Sequence, residues 1–315
     1  MSAPASGAQR AGAAAAPDRS RWAGGVALGI AGATLFAAKG VVIKLAYRHG
    51  TDPTTLIALR MILSLPFFCA VAWWGERRTA PGAAPWRAGD AWRIVGLGLV
   101  GYYLASYLDF LGLQYVSAGL ERVILYLNPT LVMLIGLLVL RRPVARREWL
   151  AVAVAYAGVL LVFWHDLRLG GDRVALGGAL VFASAVAYAV YLVAGGELVR
   201  RLGSLRLTAW AMIVSCVACI AQALVLDPAA LWSQPAPVYA LSLVNAVVCT
   251  VLPVFMVMAS VERVGSTVAA QLGMIGPAAT IAMGAVFLGE PVTAAQLAGT
   301  AVVVAGIFLL TVRRG

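Results

Sequence analysis

The sequence predicts an all-α integral membrane protein with ten transmembrane helices in two inverted five-helix repeats, N-terminus and C-terminus both cytoplasmic. Three observations carry this. Of 315 residues, 62% are hydrophobic and 12% charged, with mean hydropathy +0.90, outside the range of water-soluble domains. Ten stretches stay apolar for about the 20 residues a helix needs to cross the hydrocarbon. A proline–glycine pattern in the fourth and fifth stretches recurs in the ninth and tenth, and an odd number of spans per copy makes the second copy enter from the opposite side.

Residues 1–21, rich in Ala, Ser, Gly and Pro without apolar periodicity, read as a disordered cytoplasmic tail. The first apolar stretch, 22–45, follows Arg19 and Arg21 but carries Lys39 and Lys44 and lacks a small-residue cleavage site. It is read as a retained span and not as a signal peptide. The remaining spans fall at 54–74, 93–113, 117–140, 148–165, 174–196, 207–226, 237–260, 264–288 and 293–312. All must be helical, because backbone groups in lipid need partners within their own segment and no alternating barrel pattern is present. The first repeat is then 22–166 and the second 173–313, together one membrane domain.

With the N-terminus inside, 17 of the 24 Lys and Arg residues fall on the cytoplasmic side, 3 (Arg48, Arg168, Arg173) on the outer side, and 4 within or at the ends of spans. Trp22, Trp74, Trp92, Trp149, Trp164 and Trp232 lie near span ends, as an interfacial belt would place them. The net charge of +11 is therefore a matter of orientation, and nucleic-acid binding is excluded. Cys69, Cys216, Cys219 and Cys249 all fall in spans, where thiols pack as small apolar groups. Cys216 and Cys219 form a C-x-x-C without histidines or acids nearby, so no metal site, cofactor or disulfide is expected.

Aligning 117–162 with 265–310 needs no gap. Pro129 matches Pro277, Gly136 matches Gly284, Leu140 matches Leu288, Pro143-Val144 match Pro291-Val292, and Ala157-Gly158 match Ala305-Gly306. Prolines break the helical ladder and glycines permit close helix approach, so Pro129 and Pro277 are expected structural hinges of one shared backbone geometry.

On these features the chain resembles the drug/metabolite transporter superfamily, of the EamA type. The resemblance covers about 22–312 and rests on the two five-span halves, Lys44 and Arg60 in KLAYRHGTDPTTLIALRM, the mid-span Pro129 and Pro277, and FLGEPVTAAQLAG at the turn into span ten. It implies movement of small metabolites, amino acids or toxic compounds across a cytoplasmic membrane. The first copy departs from the pattern, with Arg142 where the second has Glu290.

Intramembrane charges cost about 2.5–3.5 kcal/mol each on insertion scales, so each needs a partner or an aqueous cavity. Five lie inside spans: Lys39, Arg60, Asp109, Glu121 and Arg122. At 1.5 Å rise per residue all five fall in one layer toward the outer side. Three cations face two carboxylates, so if each acid pairs once, one positive charge remains for a solute carboxylate. The competing reading is structural ion pairing among spans one to four. Helical spacing adds Tyr102 and Ser106 on the face of Asp109, Asn128 on that of Glu121, and Ser184, Tyr188 and Tyr191 on span six. Asn245 and Gln271 are the candidates from the second half. Asp109 or Glu121 could carry a coupling proton, with burial and nearby arginines pulling in opposite directions.

The expected function is secondary transport of small metabolites (amino acids, organic acids or related amphipathic solutes) by alternating access, as an exporter. Import or passive facilitation of the same solutes is the alternative, followed by a non-transporting scaffold or receptor. An enzyme is not expected, because His49 and His165 sit near span ends and no nucleophile, base and orienter can be assembled. Gly29/Gly32 and Gly273/Gly276 could pack spans within one chain or between chains, leaving oligomeric state open. Arginine outnumbers lysine 22 to 2, a bias pointing to a bacterial cytoplasmic membrane.

Overall fold

The computed structural model describes residues 19–77, 86–141, 145–170 and 172–311. Most of the expected tail, and the Arg142 and Pro143-Val144 positions, lie outside them.

Apolar helices follow one another, and no strand occurs, among the described residues. They are α1 (Arg19–Tyr47), α2 (Pro53–Arg77), α3 (Asp90–Gly112), α4 (Ala118–Leu125 and Asn128–Leu140) and α5 (Arg146–Gly170). The second half gives α6 (Asp172–Ala194), α7 (Ser204–Leu226), α8 (Ala236–Val264), α9 (Ser266–Gly273, Gly276–Met283 and Gly284–Leu288) and α10 (Ala294–Thr311). Among the described residues the first nine are long and apolar enough to cross a membrane, while the tenth is apolar only over Ala294–Leu309.

The repeat reaches further into the backbone than the residue matches do. α4 breaks at Tyr126 and Leu127, α9 at Met274 and Ile275, and the second segments start at Asn128 and Gly276, 148 positions apart. The same offset relates the starts of α5 at Arg146 and α10 at Ala294. It also relates two π-type turns, Leu99–Leu104 in α3 and Val247–Val251 in α8. Even the left-handed residues that end α4 and α9, Arg141 (φ 53°) and Gly289 (φ 67°), correspond.

Packing repeats the equivalence. The most extensive contacts are α5 with α10, α2 with α7, α1 with α8, and α3 with α6. Exchanging the halves maps the first two pairs onto themselves and the last two onto each other. Where α5 meets α10, a Cβ on Gly158 would lie 2.7 Å from the Gly299 carbonyl oxygen, and one on Gly299 2.7 Å from that of Gly158. Only glycine allows the two backbones this approach, from which contact dispersion supplies the attraction that lipid-solvated helices lack.

Two apolar clusters hold the bundle. One joins Ile43, Leu56, Ile57, Met61, Phe110 and Leu113 to Met212, Cys216 and Cys219. The other joins Leu120, Leu127, Val159, Val162 and Val181 to Val303 and Ile307. Cys216 Sγ lies 3.6 Å from Met61 Sδ, and Cys216 and Cys219 are both buried in the first cluster. Gly29 faces Leu272 and Ser260, Gly32 faces Val257 and Met256, and Gly276 faces Tyr126, which places these glycines in contacts inside one chain. Trp22, Trp74, Trp92, Trp149, Trp164 and Trp232 are all exposed.

Candidate functional site

A cavity of about 360 Å³ lies between the helices and is lined by Lys39, Arg60, Asp109 and Arg122 together with Tyr102, Ser106, Asn128, Ser184 and Tyr188. Four of the five intramembrane charges therefore border one space. The fifth, Glu121, is fully buried behind Lys39.

The pairing differs from one acid to one cation. Lys39 Nζ lies 2.6 Å from Asp109 Oδ2 and 3.6 Å from Glu121 Oε1, so a single ammonium serves both carboxylates. Both Glu121 oxygens and Asp109 Oδ1 are buried with no hydrogen-bond partner among the described residues. No carboxylate among the described residues lies within ion-pair distance of Arg60 or Arg122. Spacing along a helix fixes depth but not which neighbour a side chain meets, which is why two cations are left over where counting suggested one.

Each arginine is instead held by a threonine of the second half. Arg60 Nε donates to Thr250 Oγ1 at 3.2 Å, and its guanidinium lies 5.6 Å from the centre of the Phe110 ring. Thr250, on the π-type turn of α8, donates in turn to the Asn245 carbonyl at 2.9 Å. Arg122 Nε donates to Thr280 Oγ1 at 3.3 Å and its Nη2 to the Phe36 carbonyl. Thr280 donates to the Ala37 carbonyl at 3.0 Å. Arg60 is only 7% exposed, lines the cavity, and hydrogen-bonds through its chain-side Nε, with no hydrogen-bond partner for its terminal amino groups among the described residues.

The helix breaks supply the rest. A proline lacks the N–H that would bond the carbonyl four residues back. For Pro129 that carbonyl belongs to Leu125, and the Asn128 side-chain amide donates to it at 3.1 Å. For Pro277 it belongs to Gly273, and the Tyr126 hydroxyl donates to it from the opposite half. A Cβ on Gly276 would press on the Tyr126 hydroxyl, so glycine leaves room for that bond. Both proline-freed carbonyls are thus satisfied by side chains that line the cavity. Asn128 faces this space from beyond the break, whereas Glu121 does not, so the shared face read from a spacing of seven is split by the interruption.

Besides Glu121, three candidates fall outside the cavity. Tyr191 is buried with Tyr102 and Tyr188, ring centres 4.9 and 5.7 Å away, and supports the aromatic wall from behind. Asn245 is fully buried and contributes its carbonyl to the π-type turn. Gln271 does not line the cavity. Ser184 lines it but donates to the Ala105 carbonyl at 2.6 Å. Phe36, Tyr126, Thr208 and Thr250 line it without having been singled out in the sequence, and Thr280 anchors Arg122 from outside it. Mid-span threonines and aromatics carry no signal of their own. No group of three His, Cys, Asp or Glu side chains able to hold a metal occurs among the described residues.

The model of the EamA-like transporter family matches residues 23–164 and again 175–312. The chain belongs to the EamA-like transporter family. This transporter is 32% identical over 278 residues to the uncharacterized transporter YcbK of Bacillus subtilis, covering 85% of this chain and 86% of that one. It is 25% identical over 280 residues to a probable amino-acid metabolite efflux pump of Salmonella typhimurium, covering 85% and 88%. The threonine/homoserine exporter RhtA of the same species is 28% identical over 224 residues, 70% of each chain. One crystal structure superposes with TM-score 0.61 over 92% of this chain and 96% of its own at 15% identity, a shared fold. The EamA-like chain is a multi-pass membrane transporter and not an enzyme.

Proposed function

We propose that this transporter exports small metabolites (amino acids, organic acids or related amphipathic solutes) across a bacterial cytoplasmic membrane by alternating access. The observation that carries this reading is Arg60, a guanidinium 7% exposed, without a carboxylate partner among the described residues, on the wall of a 360 Å³ cavity. A cation desolvated in this way gains most from an anionic ligand, and a guanidinium offers the fork that a carboxylate fits. Arg122 adds a second positive group on the same wall. Tyr102, Ser106, Asn128 and Tyr188 would complete the contacts, with Lys39 setting the charge of the acid pair. Pro129 and Pro277 would act as hinges, supported by the matched breaks beside them.

The fold is read as two inverted five-helix repeats, 22–166 and 173–313, with both termini cytoplasmic, supported by the offset of helix starts and by the lysine and arginine distribution. Asp109 and Glu121 share one ammonium, which favours a single coupling proton on the pair. Export is favoured by the names of the relatives, an efflux pump and an exporter. The test is flux in proteoliposomes with amino acids, organic acids, nucleosides and cationic drugs. Anionic or zwitterionic solutes should be carried, with flux lost in Arg60→Ala. Transport of cations alone, or flux of every solute indifferent to Arg60→Ala, would sink the reading. Acidification of the opposite compartment during flux reports the proton.

A further inference from the structure

A second cavity, about 410 Å³, lies between α1, α8 and α9, lined by Gly29, Ala33, Val257, Val261, Ala269 and Gly273 among others. Phe36, Arg122 and Tyr126 belong to its wall and to that of the main cavity, so the two spaces meet at these three side chains. Their chemistry is unequal. The main cavity carries four charged residues, whereas Arg122 is the one charge among the described residues that line the second. The Tyr126 hydroxyl is spent on the Gly273 carbonyl, and Arg122 uses Nε and Nη2 on Thr280 and Phe36. What the second cavity offers a ligand is therefore apolar surface beside a guanidinium that keeps one amino group unbonded.

We infer that this side cleft is the specificity pocket of the transporter, taking the aryl or branched-alkyl arm of a solute whose carboxylate stays with the arginines of the main cavity. The inference rests on the carboxylate-binding reading above and narrows it to carboxylates with an apolar arm. Small residues at Ala33, Ala269 and Gly273 leave the cleft its width, and its volume exceeds the need of one phenyl ring. A purely apolar ligand would forfeit the guanidinium, and a small hydrophilic acid would leave the cleft unfilled. Burying a ring there raises affinity by roughly 10- to 100-fold over a short acid.

The test measures binding of propionate and 3-phenylpropionate to the purified full-length transporter by calorimetry and thermal shift. Wild type should bind phenylpropionate at least about tenfold more tightly than propionate. Ala33→Phe, which fills the cleft from α1, should erase that preference and leave propionate binding unchanged. Val261→Phe, filling it from α8, is a second variant should the first fail to fold. A preference that survives both variants, as it would if a lipid acyl chain occupied the cleft, overturns the inference and leaves the carboxylate reading intact. So does equal affinity for the two acids in wild type. Absence of binding by either acid overturns the carboxylate reading and the inference with it.

Discussion

Lys44 Nζ lies 2.9 Å from Glu290 Oε1, an ion pair joining the end of α1 to the turn between α9 and α10. Both Glu290 oxygens also accept from the Ala118 N–H at 3.2 Å, at the N-terminus of α4, while Lys44 donates to the Val116 carbonyl at 2.8 Å. A carboxylate at a helix start is favoured by the unpaired N–H groups there. Three separate segments are therefore fastened by one acid. In the sequence alignment Glu290 corresponds to Arg142, so this fastening has no counterpart of the same charge in the first half.

The pair predicts an asymmetric effect of charge reversal. Glu290→Lys places two ammonium groups together and removes the helix-start acid, and should lower thermal stability and initial flux. Lys44→Glu should do likewise, and the double reversal should restore the ion pair but not the contact to Ala118. Recovery in the double variant is therefore expected to be partial, with a residual loss of about 1 kcal/mol. Thermal unfolding in detergent and a flux assay check this, and a double variant no better than the worse single one would refute the pair.

Lys39 makes a second prediction, since it is the one cation within ion-pair distance of Asp109 and Glu121 among the described residues. Lys39→Met leaves two buried carboxylates against each other and should be the most destabilising single change in the site, by about 3–5 kcal/mol. Adding Glu121→Gln should recover much of that loss. A strictly additive pair of effects, measured by unfolding, would contradict a shared ammonium.

How much of this was legible follows from what sequence spacing encodes. Hydropathy located the helices to within a few residues, because the membrane demands continuous apolar length. Pro129 and Pro277 announced the two breaks, which fall just before them. The π-type turns at Leu99–Leu104 and Val247–Val251 left no such mark, since an extra residue in a turn needs no particular side chain. Depth in the membrane put five charges in one layer, yet the choice of Lys39 as common partner depends on helix rotation and packing, which spacing does not carry. Thr250 and Thr280 were invisible for the same reason.

Arg141 ends α4 in the left-handed conformation, φ 53°, at the position matched by Gly289 in α9. A side chain there costs about 1 kcal/mol relative to glycine. Arg141→Gly should accordingly raise thermal stability by about 1 kcal/mol without altering flux, and Gly289→Ala should lower it by a similar amount. An unfolding series on the two variants decides it. A response at only one of the two positions would mean that the two ends are not equivalent, and a response at neither would refute the cost assigned to the left-handed conformation.

Tyr126 and Asn128 separate two kinds of repair at the helix breaks. Asn128 serves the Leu125 carbonyl of its own helix, whereas Tyr126 serves the Gly273 carbonyl of α9. Tyr126→Phe keeps the ring, removes the hydroxyl, and takes the side-chain donor from a part-buried carbonyl, for a loss of about 1 kcal/mol. Because this bond ties the break in α4 to the break in α9, flux should fall further in Tyr126→Phe than in Asn128→Ala, although both lose one hydrogen bond to a proline-freed carbonyl. Solute affinity should change little in Tyr126→Phe, since its hydroxyl is spent on the backbone. A rise in KM with an unchanged maximal rate would instead assign Tyr126 to solute contact, and the link between the two breaks would then play no part in turnover.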